Sequence, residues 1–272
     1  MSKLYIIGNG FDLKHDLPSR YSDFAEFCKT TNWELFEQVQ FLFPQITGNS
    51  LWSNFEEGLG EVDKNKLYDK FYKKYQKNNK IDMFLKMIEN LKERLGKWIK
   101  GLNELTGNLQ RRYIFIDSDY FVSFNYTNTL EIAYNINSNH ILHIHGYAQP
   151  DKEEFYAGYI FGHKQPIEKQ HEDIDSFDYL YKDLHNELRK EFKMSELKEF
   201  ITKIKKQTNI NHIVVLGHSL NDIDKEYFEE MLRLIPDVSW TIEYFDLFDY
   251  TNKQESIRKI NIPTKRIEFI KS

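Results

Sequence analysis

The pattern of hydrophobic positions divides the chain into short strands and amphipathic helices. Residues 3–8 form an apolar run that ends at a glycine, as buried parallel strands often do. Downstream, Tyr21, Phe24, Ala25 and Cys28 recur with the spacing of one helix face. We therefore predict a first strand that passes through a glycine-containing turn towards a helix.

Residues 32–108 have a different character, because aromatic residues and lysines dominate and no convincing strand pattern interrupts them. A long amphipathic helix is indicated by Phe84, Met87, Ile88, Leu91, Leu95, Trp98, Ile99 and Leu102. We predict a helical insertion over 32–108, placed after the first strand-helix unit of a single α/β domain that spans residues 1–272.

Strand patterns return beyond the insertion. Predicted strands cover residues 120–125, 140–145, 212–216, 239–246 and 266–270. Helical patterns cover residues 129–134, 178–206 and 224–234. Strands that alternate with helices are typical of a parallel sheet with helices on both faces. Ligands of such sheets bind at the carboxyl ends of the strands, so the residues that follow each strand are the candidate site.

Composition narrows the function classes. The 272 residues include 37 Lys and Arg against 42 Asp and Glu, a net charge of −5, so we expect no nucleic-acid partner. The single cysteine, Cys28, excludes an internal disulfide and fits a buried packing role in a reducing compartment. No stretch approaches the about 18 apolar residues of a membrane span, and no secretory leader is recognised. We expect a cytoplasmic protein with no membrane partner.

The first polar strand end comprises Gly8, Asn9, Gly10, Phe11 and Asp12. Two glycines at this spacing allow a tight turn, in which backbone N–H groups approach a ligand at a helix start. Leu13 stands where the dinucleotide fingerprint has its third glycine. Asp12 would repel a pyrophosphate, so it either caps the helix or accepts a hydrogen bond from a ribose hydroxyl or water. All five residues are candidate nucleotide contacts.

The second strand end contains Ser123 and Asn125. A neutral amide offers both donors and an acceptor, and can hold a carboxamide, a ribose hydroxyl or an attacking water. Capping of the following helix is the alternative role for Asn125.

The third strand end contains His143, His145 and Gly146. Strand alternation places both histidines on one face, and Gly146 opens space beside His145. An imidazole at this position suits a general base near neutral pH. A zinc site of His143, His145, His163 and a carboxylate is the alternative, but the spacing matches no tight ligand set, and we predict no metal.

The fourth strand end covers residues 216–224 and has a strand-turn-helix pattern. Its Gly-x-Ser suggests a serine-hydrolase elbow, but Asn221 replaces the last glycine and no histidine follows His218 to complete the usual chain order. Binding of a phosphate or an adenine ribose by a hydroxyl and backbone amides explains the segment better. The candidate contacts here are Gly217, Ser219 and Asp224.

Together the four strand ends resemble the AbiH family of bacterial phage abortive-infection proteins. The matching blocks are residues 4–13, 124–127, 143–146 and 217–220, with Asp224. The family is in turn similar to the sirtuin-like NAD-binding branch of Rossmann-like folds. By that similarity, Asn125 and His145 take the places of the site asparagine and histidine, and the glycine turns surround NAD.

The resemblance implies a phage-defence enzyme that hydrolyses the nicotinamide–ribose bond of NAD. Asn125 would orient the ribose or a water molecule, and His145 would accept a proton. NAD is the expected substrate or ligand, a phage-derived trigger or another defence protein the expected partner, and a homo-oligomer is compatible with the sequence. Two alternatives stay open: a nucleotide-binding sensor without turnover, and a metal-assisted nucleotide hydrolase that uses His143, His145 and Asp222 or Asp224.

Overall fold

The computed structural model describes residues 2–46, 52, 54–69, 80–147, 159–165 and 176–272. Within them, one sheet is formed by β1 Leu4–Ile7, β2 Tyr120–Ser123, β3 Ile141–His143, β4 His212–Leu216, β5 Ser239–Tyr244 and β6 Ile267–Lys271. The strand order is β3-β2-β1-β4-β5-β6, and every neighbouring pair is parallel. This is the Rossmann-like order, in which the direction of strand addition reverses between β1 and β4. The predicted α/β fold with a parallel sheet is confirmed.

The helices in the described residues follow the strands in the predicted alternation. They are α1 Asn9–Lys14, α2 Tyr21–Thr31, α3 Trp33–Leu42, α4 Phe55–Gly58, α5 Lys64–Leu67, α6 Lys80–Leu105, α7 Thr129–Tyr134, α8 Ser176–Glu187, α9 Met194–Gln207, α10 Lys225–Leu234 and α11 Leu247–Ile260. None of these helices has the length and apolar character that a bilayer crossing requires. Cys28 is fully buried within α2, where burial raises its pKa to about 12, so its predicted packing role is confirmed.

Contacts divide the chain into two compact units. Unit 1 consists of Met1–Ser19, Lys100–Ala148 and Phe192–Ser272, and it contains the whole sheet. Unit 2 consists of Arg20–Ile99 and Gln149–Glu191. In the predicted insertion at 32–108, the described residues form helices and turns and no strand. Unit 2 contains most of these residues, and it also contains α8. All residues of the candidate site lie in unit 1.

Side chains of β1 alternate between two cores. Leu4 and Ile6 join a cluster that includes residues of α9, α10 and α11, whereas Tyr5 and Ile7 join one that includes Phe11 of α1. Burial on both faces explains why this strand reads as a continuous apolar run rather than as an alternating one.

Some predicted boundaries are wrong for identifiable reasons. The strands predicted at 120–125 and 140–145 end early because tight turns close them: Ser123 Oγ accepts the Asn125 N–H at 3.2 Å, and the His143 carbonyl accepts the Gly146 N–H at 3.2 Å. The helical pattern at 178–206 is split into α8 and α9. Helix α1 begins directly after Gly8, where we predicted a turn, and α11 lacks the hydrophobic periodicity that would have predicted it.

Candidate active site at the carboxyl ends of the strands

The start of α1, at Gly8 and Gly10, packs backbone against backbone on the glycine-containing turn after β4. The Gly8 N–H donates to the Leu216 carbonyl at 3.0 Å, and the Gly10 N–H donates to the Gly217 carbonyl at 2.8 Å. Gly217 has a φ of +65°, and a methyl group there would lie 2.0 Å from the Phe11 nitrogen. These glycines therefore allow the close approach of the start of α1 and the turn after β4. Two of the N–H groups predicted to face a ligand are engaged within the protein.

Asp12 is buried in α1 and connects this helix to the segment after β2. Its carboxylate oxygens accept hydrogen bonds from Thr127 Oγ1 at 2.5 Å and from Thr129 Oγ1 at 2.7 Å. Gly8 occupies the N-cap of α1 and no side chain caps the helix, so the capping role weighed for Asp12 is wrong. Burial raises the pKa of Asp12 to about 6, although hydrogen bonds from Thr127, Thr129 and Asn125 oppose the increase.

The raised pKa of Asp12 predicts a pH dependence of stability. In the folded state Asp12 binds a proton below about pH 6, whereas in the unfolded chain it does so only near its ordinary pKa of 3.8. The contribution of Asp12 to the free energy of unfolding therefore grows as the pH falls from about 7 to 4, and it is lost as the pH rises through 6. Between pH 7 and pH 5 the gain is about 1 kcal/mol. Asp12→Asn should remove this gain in the free energy of unfolding. Urea unfolding of the wild type and of Asp12→Asn at pH 7 and at pH 5 measures it. Other groups titrate alike in both proteins, so an equal change in free energy of unfolding in the two would contradict the burial argument.

Asn125 joins the end of β2 to the turn after β1. Its Nδ2 donates to the Gly8 carbonyl at 3.1 Å, and the amide also hydrogen-bonds the Asp12 carboxylate. Asn128, rather than Asn125, occupies the N-cap position of α7, so the capping role weighed for Asn125 is wrong. The amide oxygen Oδ1 is the atom of this side chain suited to accept a hydrogen bond from a ribose hydroxyl or water.

His143 and His145 point towards different partners, so the prediction that they share one face is wrong. His143, the last residue of β3, places Nε2 2.7 Å from Glu131 Oε1, and its ring stacks on Tyr147. His145 lies in the turn beyond the strand, where its Nε2 is 3.3 Å from Asp224 Oδ1. The turn ends the alternation on which the prediction depended.

The carboxylate of Asp224 lies between two imidazoles. Oδ1 is 3.3 Å from His145 Nε2, and Oδ2 is 3.5 Å from His218 Nε2. The three side chains are at most 8% exposed, and the ring of Phe124 meets both imidazoles edge-on. The contact between His145 Nε2 and Asp224 does not meet hydrogen-bond geometry, but a buried carboxylate within ion-pair distance of an imidazole is an arrangement that a general base uses. The structure thus brings together His145, predicted as catalytic, and Asp224, predicted as a nucleotide contact.

The other predicted contacts differ in their accessibility. Ser219 and Asn9 are exposed, and Asn9 Oδ1 accepts a hydrogen bond from Ser19 at 2.6 Å. Gly146 is half-buried, with a left-handed φ of +81°. Ser123 is buried and is engaged with the Asn125 backbone. Ser219 and Asn9 are therefore the most exposed of the predicted contacts, and Gly146 is partly accessible.

Three polar side chains of the site are absent from the sequence prediction: His218, Thr127 and Thr129. His218 follows the glycine at the end of β4, and that position was the available signal, but from the sequence we named this histidine only as the last one in the chain. Thr127 belongs to the matching block 124–127, but nothing in the sequence indicated that Thr127 and Thr129 contact Asp12, because Asp12 lies more than 100 residues away along the chain.

No group of three or more His, Cys, Asp or Glu side chains in the described ranges is arranged to hold a metal ion. His163, a member of the alternative zinc set, has both ring nitrogens engaged: Nε2 lies 2.8 Å from the His185 carbonyl, and Nδ1 accepts the Gln165 N–H at 3.1 Å. Burial lowers the pKa of His163 to about 4, so it is a neutral internal histidine.

The strand order and the strand-end cluster define a Rossmann-like α/β protein with a candidate site beside its topological reversal. The family model described as Bacteriophage abortive infection AbiH matches residues 4–244. The protein belongs to the AbiH family and is a phage abortive-infection protein, as the sequence motifs predicted. Comparison with curated proteins gives no match.

Proposed function

We propose that this AbiH protein hydrolyses the nicotinamide–ribose bond of NAD and uses His145 as its general base. The observation that carries the proposal is the pairing of His145 with the buried Asp224 carboxylate, 3.3 Å away, beyond the carboxyl ends of the strands. Parallel α/β sheets bind their ligands at this edge. The resemblance to sirtuin-like NAD-binding proteins supplies the substrate.

The chemistry of the reaction needs a base more than an acid. Nicotinamide leaves a positively charged ring as a neutral molecule, and the ribose passes through an oxocarbenium-like state as in glycoside hydrolysis. Water then adds to the anomeric carbon and loses a proton, which gives ADP-ribose, nicotinamide and H⁺. A positioned imidazole that accepts this proton contributes typically about 10²- to 10⁴-fold to the rate.

Asp224 gives His145 the orientation for this role. The His145 Nε2 faces the Asp224 carboxylate at 3.3 Å, and we assign to the other ring nitrogen, Nδ1, the acceptance of the proton from water or from a ribose hydroxyl. The nearby carboxylate stabilises the imidazolium that forms. Asn125 Oδ1 would orient the ribose or the water.

We expect the accessible residues that follow the strands to bind the nucleotide. Because the N–H groups of Gly8 and Gly10 are engaged within the protein, they do not form a free phosphate cradle. We assign contacts with the dinucleotide to the exposed Ser219 hydroxyl and to the backbone around Gly146.

The test is nicotinamide release. Purified protein is incubated with NAD, with and without lysate of phage-infected cells, and nicotinamide and ADP-ribose are quantified by chromatography. We expect equal amounts of both products, and a loss of about 100-fold or more in Asp224→Asn, which keeps the shape of the side chain and removes its charge.

Other results would overturn the proposal in distinct ways. NAD that binds and stays intact for hours would identify a sensor without turnover. Activity that disappears with a chelator and returns with a divalent cation would identify a metal-assisted hydrolase. Full activity of Asp224→Asn would remove the histidine–aspartate pair from the mechanism.

A further inference from the structure

We infer that Asp12 is a positioning residue that holds the Asn125 amide in the orientation in which its oxygen Oδ1 can accept a hydrogen bond from the ribose or from water. The inference rests on the proposed function, which assigns that role to Asn125, and it adds a residue that acts through another one. Asp12 is 1% exposed, so its carboxylate is covered by protein and serves the site through its neighbours.

Three polar side chains from one segment converge on the Asp12 carboxylate. They belong to every second residue after β2, namely Asn125, Thr127 and Thr129, and each of them hydrogen-bonds this carboxylate. Thr127 Oγ1 donates to Oδ2 at 2.5 Å, and Thr129 Oγ1 donates to Oδ1 at 2.7 Å. Because each oxygen has its own hydroxyl donor, the two threonines define the plane of the carboxylate, although the terminal torsion of an aspartate is otherwise broad.

The contacts of the Asn125 side chain fit one orientation of its amide. Nδ2 carries two hydrogens and donates to the Gly8 carbonyl at 3.1 Å, and the amide also hydrogen-bonds the Asp12 carboxylate, which is an acceptor only. The reversed amide would place Oδ1 against two acceptors, which is a repulsive arrangement. Oδ1 therefore faces away from Gly8 and Asp12, and this leaves it for a ribose hydroxyl or a water molecule.

The Gly8 carbonyl alone would not fix this amide. The terminal torsion of an asparagine is broad, so an amide that is held through one hydrogen can still rotate about it. The Asp12 carboxylate supplies the second acceptor for Nδ2. Burial raises the pKa of Asp12 to about 6, so at pH 8 the group is ionised and accepts hydrogen bonds through both of its oxygens.

Three substitutions test this role at pH 8. Asp12→Leu has a similar size and removes both acceptor oxygens, but it also leaves two buried hydroxyls without their acceptor. Thr129→Val is milder, because it removes one hydroxyl donor from the carboxylate, and Thr129→Ser keeps that hydroxyl. We expect kcat for nicotinamide release to fall about 100-fold in Asp12→Leu and about 10-fold in Thr129→Val, and to stay within about 2-fold of the wild type in Thr129→Ser.

The matched control for Thr129→Val is Thr241→Val. Thr241 lies in β5 and is also buried, and its hydroxyl oxygen is 2.9 Å from Nε2 of His212, the first residue of β4. His212 is at the amino end of its strand, whereas the candidate site lies beyond the carboxyl ends. We expect Thr241→Val to lower the melting temperature as Thr129→Val does and to leave kcat unchanged.

A second readout needs no turnover. The two Nδ2 protons of Asn125 give a pair of NMR signals, which is identified as the pair that is missing from Asn125→Ala. We expect these signals to be well separated and slow to exchange with solvent in the wild type and in Thr129→Ser. In Thr129→Val and in folded Asp12→Leu they should shift and exchange faster, because the amide is held less firmly.

The two readouts distinguish failure of the positioning role from failure of the proposed function. The expected NMR pattern without nicotinamide release from any protein would sink the proposed function and support the positioning role. The role would be overturned by Asn125 signals in Thr129→Val that match those of the wild type, or by a kcat of Thr129→Val that is no lower than that of Thr241→Val. Should Asp12→Leu fail to fold, the two Thr129 variants decide the question.

Discussion

Replacing His145 with alanine is expected to lower the rate of nicotinamide release from NAD by about 100- to 10,000-fold, the usual cost of losing a general base. The imidazole lies 3.3 Å from the Asp224 carboxylate, whose other oxygen is 3.5 Å from His218 Nε2. His218 cannot take over the role while its Nδ1 accepts the Leu220 N–H and its Nε2 faces Asp224. The measurement is the initial rate at saturating NAD.

The matched control for this prediction is His143→Ala. His143 belongs to the same His-x-His sequence and is paired with a different carboxylate, Glu131, at 2.7 Å. Its removal should leave the rate within about 10-fold of the wild type, because nothing in the proposed chemistry passes through it. Equal losses in the two variants would show that the histidines act on folding rather than on the reaction.

Gly217→Ala is expected to have the largest effect on stability. The added methyl group would lie 2.0 Å from the Phe11 nitrogen and 2.4 Å from the Gly10 carbonyl carbon, and the backbone has a φ of +65°. Overpacking against backbone and an unfavourable φ together cost on the order of 4 kcal/mol, much of the about 5–15 kcal/mol that stabilises a domain. We expect little folded protein at 37 °C, as measured by circular dichroism melts and urea unfolding.

Gly101 provides the matched control. It lies in α6, and a methyl group added there would meet no atom within 4 Å. Gly101→Ala should therefore stabilise the protein by roughly 0.5–1 kcal/mol, the helix-propensity difference between glycine and alanine. A Gly217→Ala protein within about 1 kcal/mol of the wild type would mean that the turns after β1 and β4 separate easily, contrary to the packing described above.

Much of the fold could be predicted because its signals are local. The β4 segment is apolar after His212 and was predicted with its observed ends, since burial of Ile213–Leu216 leaves a continuous apolar run. Helix α11 was not predicted, because its hydrophobic residues do not lie on one face: Leu247 and Phe248 are exposed, whereas Lys253 is buried together with Ile257 and Ile260. The ends of β2 and β3 depend on single hydrogen bonds in the following turns, which hydrophobic patterns do not encode.

The location of the candidate site could be predicted from the sequence, but most of the contacts within it could not. Strand ends gave Asn125, His145 and Asp224, because polar residues after apolar runs mark the edge where ligands bind. The partners of these residues come from distant parts of the chain. The glycines after β1 indicated a phosphate turn, yet the space that they leave is filled by the backbone of Gly217 and His218. Sequence spacing alone does not show which backbone or ligand a glycine accommodates.

The most direct test of the central claim is the NAD content of infected cells. Cells that express wild-type protein, His145→Ala or no protein are infected with a phage against which the wild type protects, and NAD is followed by mass spectrometry together with plaque counts. We predict that NAD falls and nicotinamide rises only in cells with the wild-type protein. Cells with His145→Ala should keep their NAD and should not be protected from the phage. Protection by either protein with NAD unchanged would contradict the account.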